Sequence, residues 1–358
     1  MMTSGSKDKT VQESDGDISM RERLLRALAC KDNDRPPVAG MTTTGTTQLM
    51  DYAGAAWPEV HTDAVKMSKL ALAAYPFLGL ESARVPYCLS YEAEALGCKV
   101  SLGTKTSTPM VKTHPFGEDP EADLIPLTRE EMLKKPRNKV ILEAIRLVKK
   151  DAGDRPIIVG VTGPFTIAGH LVGTDNLLRW VLTDPEYVHK FVGFAAKYET
   201  EWLKIIDQMG VDAIQMSEPS ASRDMLSNDM YREFALPYVK NAFSAMENTK
   251  KVLHICGDMI SGLDNMVDTG ADGLSIEEKN DPYKAVEIVN NRAALVGNIG
   301  VVQPLLRGTP EQVREMTLKS VDAGINVISA GCGLSAMIDK ANIRMMVDTV
   351  KNLPPRKI

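Results

Sequence analysis

Short runs of apolar residues alternate with longer amphipathic segments along most of the chain. The runs at 156–161 and 325–328 are almost continuously hydrophobic, which is typical of parallel strands buried on both faces. Stretches such as 310–322 and 335–351 carry apolar residues at helical spacing and are predicted to be helices. The pattern predicts eight strands, at residues 37–42, 82–88, 156–164, 212–219, 250–257, 271–278, 293–300 and 325–331.

A glycine follows the helix at three of the joints between a predicted helix and the next strand. Gly210, Gly270 and Gly324 hold these positions, and glycine readily adopts the left-handed conformation that ends a helix. Repeated strand–helix units with eight strands predict an α/β fold of the (β/α)8 TIM barrel type. A doubly wound open sheet is the competing architecture.

Three segments fall outside this alternation. Residues 1–17 are mostly polar or charged and are predicted to be a disordered N-terminal tail. Ser19 and Glu22 have the spacing of a capping box, which predicts an N-terminal helical segment ahead of the barrel. Residues 89–155 are too long for one strand–helix unit, and the glycine- and threonine-rich first part predicts a β-hairpin-like insertion after strand 2. We expect a single barrel domain over residues 18–354.

Composition narrows the class of protein. The 358 residues are 44% hydrophobic, enough for a sizeable core, and the formal net charge of -5 does not suit a nucleic-acid-binding protein. No apolar run is long enough to span a membrane, and no signal peptide opens the chain. The five cysteines are widely scattered, which is not the pattern of a disulfide framework. We therefore expect a cytoplasmic protein without nucleic-acid or membrane partners.

Candidate metal ligands lie at the ends of two predicted strands. His254 and Cys256 are two residues apart before Gly257, so their side chains point to the same side of the strand. Cys332 lies between two glycines after the last strand. In a barrel all three side chains would meet at the C-terminal mouth, where barrel enzymes place their chemistry.

One imidazole and two thiolates are a soft ligand set that suits Zn²⁺. Three protein ligands leave a position for a substrate, which is the pattern of a catalytic zinc site. Because two thiolates already donate negative charge, such a metal favours binding and activating an added thiol over generating hydroxide. The alternative is that His254, Cys256 and Cys332 are ordinary core residues.

Five further features of the sequence are distinctive: the stretches 49–59, 84–89, 273–279 and 295–298, and His254-Ile-Cys256 with Cys332. Together they resemble the methylcobamide:coenzyme M methyltransferases of the uroporphyrinogen decarboxylase-like superfamily. The resemblance runs from about residue 19 to about residue 350 and is strongest to the methanol-specific branch, on the segments 86–89 and 273–279.

The resemblance implies a zinc-dependent reaction. A methyl group would pass from a methylated corrinoid, carried by a small partner protein, to the thiol of coenzyme M, which gives methyl-coenzyme M for methanogenesis. Glu277 is a candidate catalytic residue, as the fourth zinc ligand at rest or as a partner of His254, with Glu278 as its competitor and a solvated carboxylate as the alternative. Glu218, after the fourth strand, is a candidate for contact at the mouth, although the family pattern there more often has Asp.

The sulfonate of coenzyme M should need a cation or backbone donors. Arg84 and Arg307 are possible partners, and their spacing favours neither. The other histidines, outside any ligand spacing, are expected at the surface or in packing: His61, His114, His170 and His189.

Other functions remain open at the level of sequence. One alternative is an enzyme that transfers the methyl group to a different thiol, such as homocysteine, and a second is one that transfers it to a tetrahydropterin. A third is a scaffold that binds a corrinoid protein without turnover. A true uroporphyrinogen decarboxylase is disfavoured because residues 41–47 contain no arginine for substrate carboxylates. The sequence does not distinguish methanol, a methylamine or a methyl sulfide as the original methyl donor.

Overall fold

Nine strands are present in the computed structural model, which describes residues 18–117 and 119–354. The predicted tail over residues 1–17 lies outside the described residues. The strands are β1 (Ala83–Val85), β2 (Val100–Ser101), β3 (Met110–Val111), β4 (Ile157–Thr162), β5 (Ala213–Ser217), β6 (Lys250–His254), β7 (Gly273–Ile276), β8 (Ala294–Ile299) and β9 (Val327–Ala330).

Seven of these strands form one curled parallel sheet in the order β1-β4-β5-β6-β7-β8-β9. Each of the seven lies inside a predicted strand. This arrangement, with helices packed around the outside, confirms the predicted α/β barrel fold in place of a doubly wound sheet.

The eighth predicted strand, 37–42, is reduced to a single bridge between Val38 and Ile328. The amide of Ala39 donates to the Ile328 carbonyl at 3.1 Å, and the amide of Glu81 donates to the Val38 carbonyl at 2.8 Å. The segment therefore fills the gap between β9 and the start of β1. It does not extend into a longer strand because the Gly40 amide donates to the Ser82 hydroxyl (2.9 Å) and so leaves the ladder.

The helices alternate with the strands of the sheet. Gly210, Gly270 and Gly324 follow helical segments and have φ values of 66°, 79° and 98°, as predicted for left-handed helix ends. The helices are α1 (Met20–Leu28), α2 (Thr47–Ala53), α3 (Ala64–Leu78), α4 (Tyr91–Ala95), α5 (Arg129–Lys134), α6 (Pro136–Asp151), α7 (Pro164–Val172), α8 (Thr174–Thr183), α9 (Pro185–Asp207), α10 (Asn228–Phe234), α11 (Leu236–Ser244), α12 (Leu263–Val267), α13 (Pro282–Val289), α14 (Pro310–Ala323) and α15 (Lys340–Lys351).

Helix α1 closes the N-terminal end of the barrel. The Ser19 side chain accepts a hydrogen bond from the Glu22 amide at 3.1 Å, which is one half of the predicted capping box. Leu24 and Leu28 are fully buried and pack in one apolar cluster with residues that line the barrel interior, among them Ala213 and Val327 at the first positions of β5 and β9. Access to the interior is therefore from the opposite end, where the strands finish.

The insertion after β1 begins with helix α4 and continues with the predicted hairpin. Strands β2 and β3 pair antiparallel, with Val100 opposite Val111 and Ser101 opposite Met110. The remainder of the insertion is mostly helical, because α5 and α6 both fall within residues 89–155. Within the described part of the chain, no helix is both long and apolar enough to cross a lipid bilayer.

Helix α9 carries an unusual buried carboxyl group. The Glu199 side chain is fully buried, and neither carboxyl oxygen has a hydrogen-bond partner among the described residues. Glu92 on α4 is also fully buried, but its carboxyl oxygens accept from the amide (2.7 Å) and hydroxyl (3.0 Å) of Thr162. Burial, followed by the charge of Glu92, raises the pKa of Glu199 well above its usual value.

Candidate metal centre

The three predicted ligands converge at the open end of the barrel. His254 is the last residue of β6, Cys256 follows two residues later, and Cys332 lies two residues beyond the end of β9. The Sγ of Cys256 lies 3.3 Å from Nε2 of His254 and 3.8 Å from Sγ of Cys332. One ligand atom from each residue lies within 4.8 Å of the others.

These distances fit the coordination shell of a single ion. With Zn–S near 2.3 Å and Zn–N near 2.0–2.1 Å, tetrahedral geometry places two ligating sulfurs about 3.8 Å apart and a sulfur and a nitrogen about 3.6 Å apart. The donor set is soft, and His254 is buried while both cysteines are half-buried. The arrangement can therefore hold Zn²⁺ through three ligands with a fourth position towards the mouth.

Ser275 on β7 orients the imidazole of His254. The two residues are register partners in the sheet, and Nδ1 of His254 lies 3.1 Å from the Ser275 hydroxyl and 3.2 Å from its carbonyl oxygen. When Nδ1 carries the proton and donates it to Ser275, Nε2 is unprotonated and can bind a metal. The sequence analysis missed Ser275; the strand register of 271–278 against 250–257 is the signal that points to it.

Glu277 and Asn280 hold the turn that carries Cys256. The amide of Gly257, which has a φ of 86°, donates to the Glu277 carboxylate at 2.9 Å, and the Asn280 side chain donates to the Gly257 carbonyl at 2.9 Å. Asn280 also accepts from the Met259 amide at 2.7 Å. Glu277 thus contacts the turn that carries Cys256, and its predicted roles as a fourth ligand or as a partner of His254 stay predictions.

The Cys332 loop packs closely against the end of β7. The Thr42 hydroxyl donates to the Cys332 carbonyl (2.8 Å), and the Gly331 amide donates to the Ile299 carbonyl (2.8 Å). A Cβ at Gly331 would lie 2.9 Å from the Glu277 Cα, so only glycine fits without a shift. The glycine before Cys332 therefore allows the backbone after β9 to approach the backbone after β7 closely.

The centre concentrates negative charge on one sulfur. The hydrogen bond from Cys256, opposed by burial and reinforced by His254, lowers the pKa of Cys332. The same hydrogen bond, together with burial and the charge of Cys332, raises the pKa of Cys256. Burial lowers the pKa of His254, but Cys332 and Glu277 outweigh it and place that pKa above its usual value. The lowered pKa favours the thiolate form of Cys332, which is the form that binds a metal ion.

The side chain of Glu218 points away from this centre, although its amide donates to the His254 carbonyl at 2.9 Å. Its side chain is fully buried and accepts hydrogen bonds from the amides of Phe165 (3.2 Å) and Thr166 (2.6 Å) in the first turn of α7. It is not among the residues that line the mouth cavity. A helix N-terminus stabilises a carboxylate, so this geometry favours a structural role, and substrate contact by Glu218 stays a prediction.

A cavity of about 680 Å³ opens in front of the three ligands. The hairpin residues 106–111 form part of its wall, as do His114 and His170, which the sequence analysis had assigned to the surface or to packing. His114 Nδ1 lies 2.8 Å from the His170 carbonyl oxygen. The insertion thus belongs to the wall of the site.

Comparison with known proteins shows the family. Residues 19–353 match the uroporphyrinogen decarboxylase (URO-D) family. The methylcobamide:CoM methyltransferase MtaA of Methanosarcina barkeri is 36% identical over 92% of this chain and 97% of that protein. MtbA of Methanosarcina acetivorans, a second methylcobamide:CoM methyltransferase, is 36% identical over 93% and 97%. A solved methyltransferase from Methanosarcina mazei superposes with a TM-score of 0.89 and 35% identity, covering 94% and 99%. The chain therefore belongs to the URO-D family, within its methylcobamide:coenzyme M methyltransferases, and is a methyltransferase.

Proposed function

We propose that this enzyme transfers a methyl group from a methylated corrinoid, carried by a small partner protein, to the thiol of coenzyme M, with Zn²⁺ held by His254, Cys256 and Cys332. The convergence of one imidazole nitrogen and two sulfurs within 4.8 Å at the open end of the barrel carries this proposal. The similarity to methylcobamide:CoM methyltransferases supports the choice of donor and acceptor.

The residues of the chain hold the metal ligands in place and limit how the thiol substrate can lie. Zinc in such a site lowers the pKa of a bound thiol and holds it as a nucleophilic thiolate at neutral pH. Ser275 fixes the imidazole ring, while Glu277 and Asn280 fix the turn that carries Cys256. The cavity walls limit the orientations of a small thiol. Because bringing the thiol and the methyl donor into the right orientation is a large part of the reaction barrier, this limitation favours the reaction.

Within these methyltransferases, we propose that the enzyme belongs to the methanol-specific branch. It rests on the resemblance of segments 86–89 and 273–279. The relatives MtaA and MtbA have the same 36% identity to this chain, so overall similarity does not separate the branches.

Turnover and metal content measured on one preparation test the proposal. We expect about one zinc per chain, and demethylation of methylcobalamin that depends on added coenzyme M. Replacing methylcobalamin with methylated corrinoid proteins of the methanol and methylamine systems then tests the branch by comparison of rates. A protein that binds zinc but leaves methylcobalamin intact would be a scaffold, and the proposal would be wrong.

Ser275→Ala is expected to weaken zinc binding by about 10-fold, the lower end of the effect of losing a group that orients a metal-bound histidine. The effect is at this lower end because the Ser275 carbonyl remains 3.2 Å from Nδ1 of His254. Competition against a zinc chelator measures the affinity. Ser261→Ala, at an exposed serine, is the matched control and should keep the original affinity. Equal affinities for both variants would show that the Ser275 hydroxyl does not hold the ring.

A further inference from the structure

Apart from the metal ligands, Arg84 is the charged side chain in the wall of the mouth cavity among the described residues. Among the described residues that line it, none is Asp, Glu or Lys, and Arg84 is the arginine. Arg307, the other candidate from the sequence, is exposed and does not line this cavity. A ligand that enters therefore meets a guanidinium with no competing carboxylate on the wall.

The guanidinium of Arg84 is buried without an ion-pair partner in the described part of the chain. Its side chain is 2% exposed and donates to the carbonyls of Met41 (3.0 Å) and Pro86 and to the amide oxygen of Gln215 (3.1 Å). A guanidinium has five N–H donors, so three hydrogen bonds leave about two unused. Burial lowers the pKa of Arg84 to about 10, which still leaves it charged at neutral pH. A buried charge of this kind is costly unless a counter-charge is supplied.

Two further donors lie in the cavity wall. Trp57 and Tyr87 both line the cavity, and both are at least 97% buried. The indole Nε1 of Trp57 has no hydrogen-bond partner among the residues that the structure describes. The phenol oxygen of Tyr87 interacts with the Thr44 hydroxyl, which acts as the donor and leaves the phenol O–H available. Buried polar groups are normally hydrogen-bonded, so an available donor in a cavity points to a ligand with acceptor atoms.

Strand register places the Arg84 guanidinium just below the metal ligands. Gly160 on β4 lies beside the guanidinium, since a Cβ there would be 2.1 Å from Nη2 of Arg84. Gly160 pairs with Gln215, and Gln215 pairs with Val252, which is two residues before His254. Two residues of a strand span about 7 Å. The guanidinium and the imidazole therefore lie one layer apart along the barrel axis.

We propose that Arg84, Tyr87 and Trp57 form an anion site that binds the sulfonate of the thiol substrate. This inference rests on the proposed function for the identity of the ligand. A sulfonate carries a fixed negative charge and several acceptor oxygens, so it supplies both the counter-charge for Arg84 and acceptors for the available donors. Charge-assisted hydrogen bonds are about twice as strong as neutral ones. Anchored at this end, a short mercaptoalkyl sulfonate extends its thiol towards the layer of His254 and Cys256.

Ethanesulfonate, which has the sulfonate but no thiol, tests the site without methyl transfer. Calorimetric titration of the zinc-loaded enzyme should give saturable binding. Tyr87→Phe removes one donor and keeps the ring, and Arg84→Met removes the charge. Each should weaken ethanesulfonate about 10- to 100-fold, the effect of losing a hydrogen bond to a charged group. Tyr283→Phe, at an exposed tyrosine on α13, is the matched control and should bind as the parent does.

A second readout guards against a variant that fails to fold. The ratio of kcat/KM for coenzyme M to kcat/KM for 2-mercaptoethanol should fall towards one in Tyr87→Phe, because only the first thiol has a sulfonate. An enzyme that does not bind ethanesulfonate, or variants that bind it as the parent does, would overturn the anion site while leaving the proposed function intact. Binding of ethanesulfonate by a protein without methyl transfer would instead contradict the proposed function and leave the anion site standing.

Discussion

Cys332→Ala is expected to weaken zinc binding by more than about 100-fold, because loss of a group that merely orients a ligand already costs 10- to 100-fold. Methyl transfer from methylcobalamin to coenzyme M should fall with the metal content. The barrel should still form, since Cys332 is half-buried at the rim and its backbone contact with Thr42 does not need the thiol. Elemental analysis, turnover and circular dichroism on one preparation measure the three quantities.

Cys30→Ala is the matched control for Cys332→Ala. Cys30 is also a half-buried free cysteine, but it lies just after α1 and packs against the apolar cluster at the closed end of the barrel. It should retain zinc and turnover. Full turnover of Cys332→Ala in the absence of metal would refute the assigned role of the centre.

Glu199→Met is expected to stabilise the enzyme at pH 8 by about 1–3 kcal/mol, the cost of a buried polar group without a partner. Met has a similar length, fills the space and carries no group that needs a hydrogen bond. Because the folded-state pKa of Glu199 is raised, the protonated carboxyl is favoured in the folded protein. Its contribution to stability is fully present below the unfolded pKa of about 4.3 and is lost as pH rises through the folded pKa.

Glu92 adds to the same pH dependence. Burial raises the pKa of Glu92 to about 7, so its contribution is lost between about pH 4.3 and pH 7. The free energy of unfolding of the parent, measured in urea, should therefore fall from pH 5 to pH 8. Glu199→Met should make that fall smaller.

Glu201→Met is the control for this measurement. Glu201 lies on the same helix, but 31% of its side chain is exposed and it pairs with Arg129 at the surface. Its replacement is the same Glu-to-Met change at the surface and should change stability by less than about 0.5 kcal/mol. A parent protein whose stability is flat from pH 5 to pH 8 would show that Glu199 and Glu92 are not held protonated by the fold.

Periodicity was sufficient to predict most of the barrel. Buried parallel strands are apolar over their whole length, and seven of the eight predicted segments contain an observed strand. The eighth, 37–42, failed because its hydrogen bonding depends on a side chain distant in sequence, as the Gly40 amide bonds to Ser82. The local sequence pattern gives no information on a distant side chain that competes for the hydrogen bonds of the strand.

The ligand triad was predictable because alternation along a strand and the position of strand ends in a barrel are both general rules. The residues that orient the triad were not predictable from the sequence. Ser275 and Asn280 act through strand register and a turn contact, and neither has a residue type that marks a metal site. Glu218 ends a strand as predicted, but the N-terminus of α7 captures its carboxylate, a competition that only the packed structure reveals.

Helix α1 closes one end of the barrel, because Leu24 and Leu28 fill it. A small molecule therefore enters and leaves the interior through the rim at the other end. If the proposed corrinoid protein docks over that rim, coenzyme M has to bind before the protein, and the methylated product has to leave after it. Binding would then follow a compulsory order, and the dissociation rate of the corrinoid protein would limit product release.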